Sequence, residues 1–173
     1  PFADGLTVAD VLRAGLDAAE ETLDRSLSER SETKRPLAEV ELHAPLVPTT
    51  VRDFVAFEEH VEGVSAGVEG KSHVADEWYE APTFYFTNPH AILGDRDDIE
   101  FPSTSLARDF ELEVAVVIGR EGRSLSAEDA RDHVFGYTIL NDWSARDLQG
   151  REMQVGLGPA KGKDFATSLG PWI

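Results

Sequence analysis

The chain has 173 residues, 41% hydrophobic and 28% charged, a composition that excludes a wholly disordered or fibrous polypeptide and leaves room for one buried core. Asp and Glu number 33 against 16 Lys and Arg, a formal charge of -17, and a field of that sign repels nucleic-acid backbones and anionic lipid. The absence of Cys removes disulfides, thiolate nucleophiles and thiolate metal sites, which fits a cytoplasmic protein, and no apolar run approaches the ~20 residues that span a bilayer.

In chain order, Thr7 to Asp10 has the form of a capping box. Val11, Leu12, Leu16, Ala19 and Leu23 then recur at helical spacing, predicting one amphipathic helix from Thr7 to about Leu27. Residues 26–35 read as polar linker. Glu39 to His43 alternates like a strand and runs into Pro45 and Pro48, after which Thr50 to Asp53 is a second capping pattern, predicting a helix through about Val61. Residues 63–81, broken by Gly and Ser, read as an irregular loop with the length of a lid. Thr83 to Phe86 is a short aromatic strand, 95–102 a charged turn region, and Phe110 to Ile118 an alternating strand closed by Gly119. Ser126 to Asp129 caps a short helix, a strand follows from Phe135 to Asp142, a turn from Trp143 to Gln149, and a Gly-rich stretch from Gly156 to Lys163. Strands crowd the second half and helices the first, predicting an α+β or mostly-β fold. The terminal Gly170 to Ile173 reads as the start of a further apolar strand, so the chain is expected to continue in a longer polypeptide.

Period-2 alternation in Asp109 to Ile118 (DFELEVAVVI) puts Glu111 and Glu113 on one face with Ala115 and Val117, and Leu112, Val114, Val116 and Ile118 on the other. Two carboxylates on a face that continues small and apolar are costly to desolvate unless a cation neutralises them; the alternative is an edge strand with two solvated Glu. Asp142, ending the next apolar strand, offers a third oxygen, and three carboxylates suit Mg²⁺, with Mn²⁺ or Ca²⁺ as the other hard ions. On the expected Thr50 helix, Asp53 and His60 lie two turns apart on nearly one face, although a cap alone accounts for Asp53. The other histidines read as structural or solvent-facing. Lys163 sits where glycines let the backbone bring an ammonium close to an anion, with Thr167 four residues on; the alternative is a solvated loop Lys. Arg146 and Gln149 are spaced to clasp a substrate carboxylate, unless Arg146 pairs on the surface with Asp147 or Glu152.

Taken together, residues 53–60 (DFVAFEEH), 110–119 (FELEVAVVIG), 136–149 (GYTILNDWSARDLQ) and 157–171 (LGPAKGKDFATSLGP) resemble, in order, the fumarylacetoacetate hydrolase family. The resemblance implies a mixed β-roll with an N-terminal helical region: 1–48 as helix, linker and strand, and 49–173 as the N-terminal portion of the catalytic domain. It implies a divalent metal held by Glu111, Glu113 and Asp142 with Asp53 as fourth ligand. His60 then becomes the water-activating base, Lys163 and Thr167 residues around the metal and oxyanion, and Gln149 a substrate contact. A homodimer is implied too. The chain departs from the family in lacking an assigned acidic partner for His60: one branch carries a Glu three residues after the His, where this chain has Gly63, with Glu62 one position early.

The expected chemistry is metal-dependent hydrolysis of a C–C bond in a diketo acid, an acylpyruvate or a fumarylacetoacetate-like compound. In it the metal stabilises an enolate, His60 activates water and Lys163 steadies the oxyanion. The same site serves an oxo-acid decarboxylase or isomerase, and a non-catalytic metal-binding module is the remaining alternative.

Overall fold

A computed structural model describes residues 6–29 and 35–173 of the chain. Helix α1 (Val8–Ala14) opens on the capping box: the Asp10 N–H donates to Thr7 Oγ1 at 3.2 Å and the Thr7 N–H to Asp10 Oδ2 at 2.9 Å. The single helix expected through Leu27 is instead two. Gly15 adopts a φ of +92°, which side-chain-bearing residues avoid, and so ends α1 before α2 (Leu16–Glu29) begins. Helix α2 thus fills the start of the expected linker, whose residues 30–34 lie outside the described ones. The strand expected at Glu39 to His43 does not form. A 3-10 turn covers Leu37–Glu39 and irregular chain follows, because no strand of either sheet runs beside it to complete a hydrogen-bonded ladder.

The second capping pattern is overturned as well. Val51–Phe54 is strand β1, paired antiparallel with what becomes β2 (Phe84–Thr87), and the helix starts only after it, as α3 (Glu58–Glu69). Cross-strand chemistry decides this. Phe54 meets Phe84 with ring centroids 5.1 Å apart, and the Arg52 guanidinium lies over the Phe84 and Phe86 rings at 5.4 and 5.1 Å. These side chains form the outer face of the pair, while Val51, Asp53, Tyr85 and Thr87 point inward. Nor is the segment 63–81 an irregular lid: α3 runs into it, and α4 (Asp76–Glu80) follows. The Trp78 Nε1–H donates to the Val55 carbonyl at 2.8 Å, Tyr79 bonds to Glu58, and the Ser65 hydroxyl accepts from the His73 N–H at 3.1 Å. The two helices are thereby tied to each other and to the end of β1.

The second sheet has four strands in the order β3-β6-β5-β4, made of β3 (Ile92–Leu93), β4 (Arg108–Ile118), β5 (Val134–Ala145) and β6 (Thr167–Leu169). Only the β3–β6 pair is parallel, so the sheet is mixed and the fold α+β. The helix expected after Ser126 is a 3-10 turn, Asp129–His133, preceded by Glu128 in the capping position, with the Asp129 N–H donating to the Ser126 hydroxyl at 3.1 Å. The turn expected at Trp143 to Gln149 is also different. Strand β5 continues to Ala145 and passes directly into α5 (Arg146–Met153).

The β4–β5 ladder pairs Glu111 with Asp142, Glu113 with Leu140 and Ala115 with Thr138, so one face carries Glu111, Glu113, Ala115, Val117, Thr138, Leu140, Asp142 and Ser144. That face is the covered one. Val117, Leu140, Ala145, Ala166 and Leu169 are the buried apolar residues of this sheet region, yet Asp142, Ser144 and Thr167 are buried with them. The apolar outer face, by contrast, is open: Leu112 is 73% exposed and Val114 75%. Beside Asp142 it is covered, where Phe101 packs on Trp143 and Phe165. Among the described residues no helix is long and apolar enough to cross a membrane.

The loop between α5 and β6 approaches α5 closely. A Cβ placed on Gly162 would lie 2.7 Å from the Gln149 backbone nitrogen and 2.8 Å from its Cα, while the Gly162 carbonyl accepts from the Ala145 N–H at 2.8 Å. Gly162→Ala therefore has to displace backbone, and we expect a loss of roughly 1–3 kcal/mol of unfolding free energy, measurable by urea titration.

Candidate metal centre and active site

The two sheets bring three carboxylates together. Asp53 from β1, Glu113 from β4 and Asp142 from β5 each place an oxygen within 4.8 Å of the other two. Alternation explains their common orientation: Asp53 lies on the inner face of the β1–β2 pair and Glu113 and Asp142 on the inner face of the larger sheet. Glu111, directly opposite Asp142 in the ladder, stands beside this group. Its Oε1 pairs with Arg146 Nη1 at 2.6 Å and Lys163 Nζ at 3.0 Å.

Lys163 is only 3% exposed and also bonds to Asp142 Oδ2, so the solvated-loop alternative for this residue does not apply. It lines a cavity of about 230 Å³ with Tyr85, Thr87, Asn88 and Pro159. Arg146 pairs neither with Asp147 nor with Glu152. Its Nε–H donates to Asp109 at 2.8 Å and its Nη1 to Gln149 Oε1 at 3.1 Å, which holds Gln149 at the same end of the sheet. Asp147 instead accepts from the Ser105 hydroxyl and the Leu106 N–H, pinning the chain that enters β4. Thr167 is buried on β6 opposite Asp142. His60 is exposed in the first turn of α3, and the hydrogen bonds and ion pairs of the cluster do not include it; Asp53 and His60 share no helix.

One residue of the cluster was not singled out from the sequence. Tyr85, opposite Asp53 in the β1–β2 ladder, reaches Asp53 Oδ2 at 3.0 Å and Asp142 Oδ2 at 2.9 Å. Burial and the charges of Asp142 and Asp53 push its ionisation up, so it stays a neutral phenol. A phenol has one proton to donate, so the second contact is a hydrogen bond only while that carboxyl carries a proton. The signal lay in alternation: within Phe84 to Phe86 the Tyr alone takes the opposite face, with a polar tip.

Crowding shapes the electrostatics. Burial, then the neighbouring charges of Asp53, Asp142 and Glu111, raises Glu113 to about 8. Burial and Asp142 raise Asp53 to about 6, and burial also raises Asp142 despite Lys163. Glu111 goes the other way: burial opposes its ionisation, but Lys163 and Arg146 outweigh it. With every acid ionised, Asp53, Glu111, Glu113 and Asp142, together with Asp109 on Arg146, would set five negative charges against Lys163 and Arg146, a surplus that Glu113 and Asp53 relieve by holding protons and that a bound cation would relieve in their place. Asp142 Oδ1 is buried with no hydrogen-bond partner. An all-oxygen donor set with that surplus and an orphaned acceptor fits a hard divalent cation.

The profile described as fumarylacetoacetate (FAA) hydrolase C-terminal matches residues 49–173. The chain belongs to the fumarylacetoacetate hydrolase family. It is 32% identical to the fumarylacetoacetase of Arabidopsis thaliana over 162 residues, covering 83% of the chain and 38% of that protein. With the oxaloacetate tautomerase YisK of Bacillus subtilis it shares 35% identity over 136 residues, 78% of the chain and 43% of the tautomerase. A solved 2-hydroxyhepta-2,4-diene-1,7-dioate isomerase from Mycobacterium marinum superposes with a TM-score of 0.57 at 32% identity, over 82% of the chain and 48% of the isomerase. The chain thus spans less than half the length of each of these proteins.

The raised carboxyls set a pH dependence. Glu113 and Asp53 hold protons more tightly in the folded than in the unfolded state, so their contribution is full below about pH 4 and is lost as the pH rises through about 6 and then 8. A dication competes for the same oxygens and offsets the repulsion. Melting temperatures with saturating Mn²⁺ or Mg²⁺ should exceed those in EDTA by a margin that widens from pH 5 to pH 8; a margin independent of pH would contradict this site.

Proposed function

We propose that this chain forms the cation-binding side of an active site for a small oxo-acid, and that the protein hydrolyses a C–C bond in a diketo acid of the acylpyruvate or fumarylacetoacetate type, acting as a homodimer. The observation that carries the reading is the convergence of Asp53, Glu113 and Asp142 beside an ammonium, Lys163, that is buried on the same face. Asp53, Glu113 and Asp142, with Glu111 at their side, would hold Mg²⁺, or Mn²⁺ or Ca²⁺ in its place. When bound, such an ion supplies a Lewis acid that draws electron density toward a coordinated carbonyl oxygen.

The remaining roles belong to side chains. An ammonium has three donors; Lys163 commits two to Asp142 and Glu111, and the third is left for an oxygen on which negative charge develops. The bond from Arg146 to Gln149 Oε1 fixes the amide orientation, so that the Gln149 NH₂ is the end presented to a substrate oxygen. Thr167 offers a hydroxyl beside Asp142. His60 accepts the proton of the attacking water, the task for which imidazole is suited near neutral pH.

The exposed position of His60, outside the hydrogen bonds of the cluster, favours a second reading in which no water is activated: keto–enol tautomerisation or isomerisation of an unsaturated oxo-acid. That reading also agrees with the likeness to a tautomerase.

Products from an acylpyruvate, from oxaloacetate and from a 2-hydroxy-dienoate, followed with Mg²⁺ and the full-length protein, separate these. We expect cleavage of the acylpyruvate, and a loss of at least ~100-fold in metal-dependent turnover for Glu113→Gln. Enol–keto exchange without cleavage would establish the second reading. Tight metal binding with no turnover of any of the three would leave a non-catalytic module.

A further inference from the structure

We propose that Glu152 is a positioning residue for Lys163: its carboxylate clamps the backbone of residues 160–162 and so determines where the buried ammonium is delivered. The inference deepens the proposed function and rests on the part that reading gives to Lys163. Three successive backbone N–H groups converge on this one side chain. Ala160 donates to Oε2 at 3.0 Å, Lys161 to Oε1 at 2.7 Å and Gly162 to Oε2 at 3.1 Å. Such a run of N–H groups around one anion is a backbone nest, here filled from within the chain.

The clamp connects directly to the lysine. The peptide unit joining Ala160 to Lys161, fixed through the Lys161 N–H by Glu152, accepts at the Ala160 carbonyl from the Lys163 N–H at 2.9 Å and the Asp164 N–H at 2.8 Å. Gly162, held by the same carboxylate, gives its carbonyl to Ala145, three residues beyond Asp142 on β5. Lys163 therefore leaves a loop anchored at both ends, and its side chain reaches Asp142 and Glu111. Helix α5 itself has no use for an acid at this place. Glu152 is its penultimate residue, at the end where the helix dipole disfavours negative charge. Partial burial works against its ionisation, yet the three N–H donors outweigh this and keep its carboxyl below the ordinary range.

A loop staple with no bearing on the site predicts something different, and two readouts in the full-length protein distinguish them. In the first, lysine acylation is mapped by mass spectrometry: Lys163 is expected to be protected in the wild type and to become reactive in E152A, while exposed Lys71 labels equally in both. In the second, E152A should lower kcat about tenfold or more with KM changed far less, and should cost nothing further on a K163M background. E152Q keeps one acceptor oxygen and should lie between, which covers the case in which E152A fails to fold. Lys163 equally protected in the variant, a change confined to KM, or losses that add in the double variant would each overturn the clamp. A K163M protein as active as wild type would remove the role of Lys163 in the proposed function, while the labelling would still decide whether Glu152 positions it.

Discussion

Carboxylates within 4.8 Å of one another, partly withdrawn from water, repel, and nothing in local secondary structure would place them so. Asp53, Glu113 and Asp142 are held against that repulsion by three strands in two sheets, with Tyr85 bridging the sheets and Lys163 and Arg146 as built-in counterions. Ladder, loop and helix all converge on this one unfavourable arrangement. Removing a cation from it exposes the full repulsion, because a half-buried charge without its partner is costlier than the pair is favourable. A conflict of this kind, maintained by consistent structure around it, is what a functional site looks like in physical terms.

The parts of the centre legible in the sequence are those governed by period and residue type. The alternation of β4 put Glu111 and Glu113 on one face, and the same rule extended through the ladder brings Asp142 opposite Glu111. Asp53 belongs to the centre, but on a strand and not on the helix that its local pattern predicts. Thr50 to Asp53 satisfies a capping box locally, whereas the strand it actually forms depends on Phe84 and Phe86, some thirty residues away. Tyr85 escaped for a related reason: among phenylalanines it reads as core until the pairing with Asp53 is known. Arg146 shows the limit of spacing arguments: Gln149 lies in its own turn, but its charged partners Asp109 and Glu111 come from strand β4. Glu152 is the extreme case, a carboxylate whose partners are backbone groups and therefore carry no residue-type signal at all.

The proteins to which the chain is similar are named for hydrolytic, tautomerising and isomerising activities. Family membership therefore does not choose among these reaction types. On the proposed reading, the choice falls to what surrounds the carboxylates: the placement of His60 and the groups that line the cavity beside Lys163.

The strand ladder itself carries a further implication. Along β4 carboxylates and aliphatic side chains alternate, so moving the pairing by one residue would swing Leu112 and Val114 inward and turn both acids out, while preserving strand, sheet and composition. A single-codon insertion or deletion within either long strand would thus take the acids out of their cluster, whereas changes of length in the segment linking β4 to β5 leave the register untouched. In genetic terms this stretch should accept replacements on its open outer face and almost no indels.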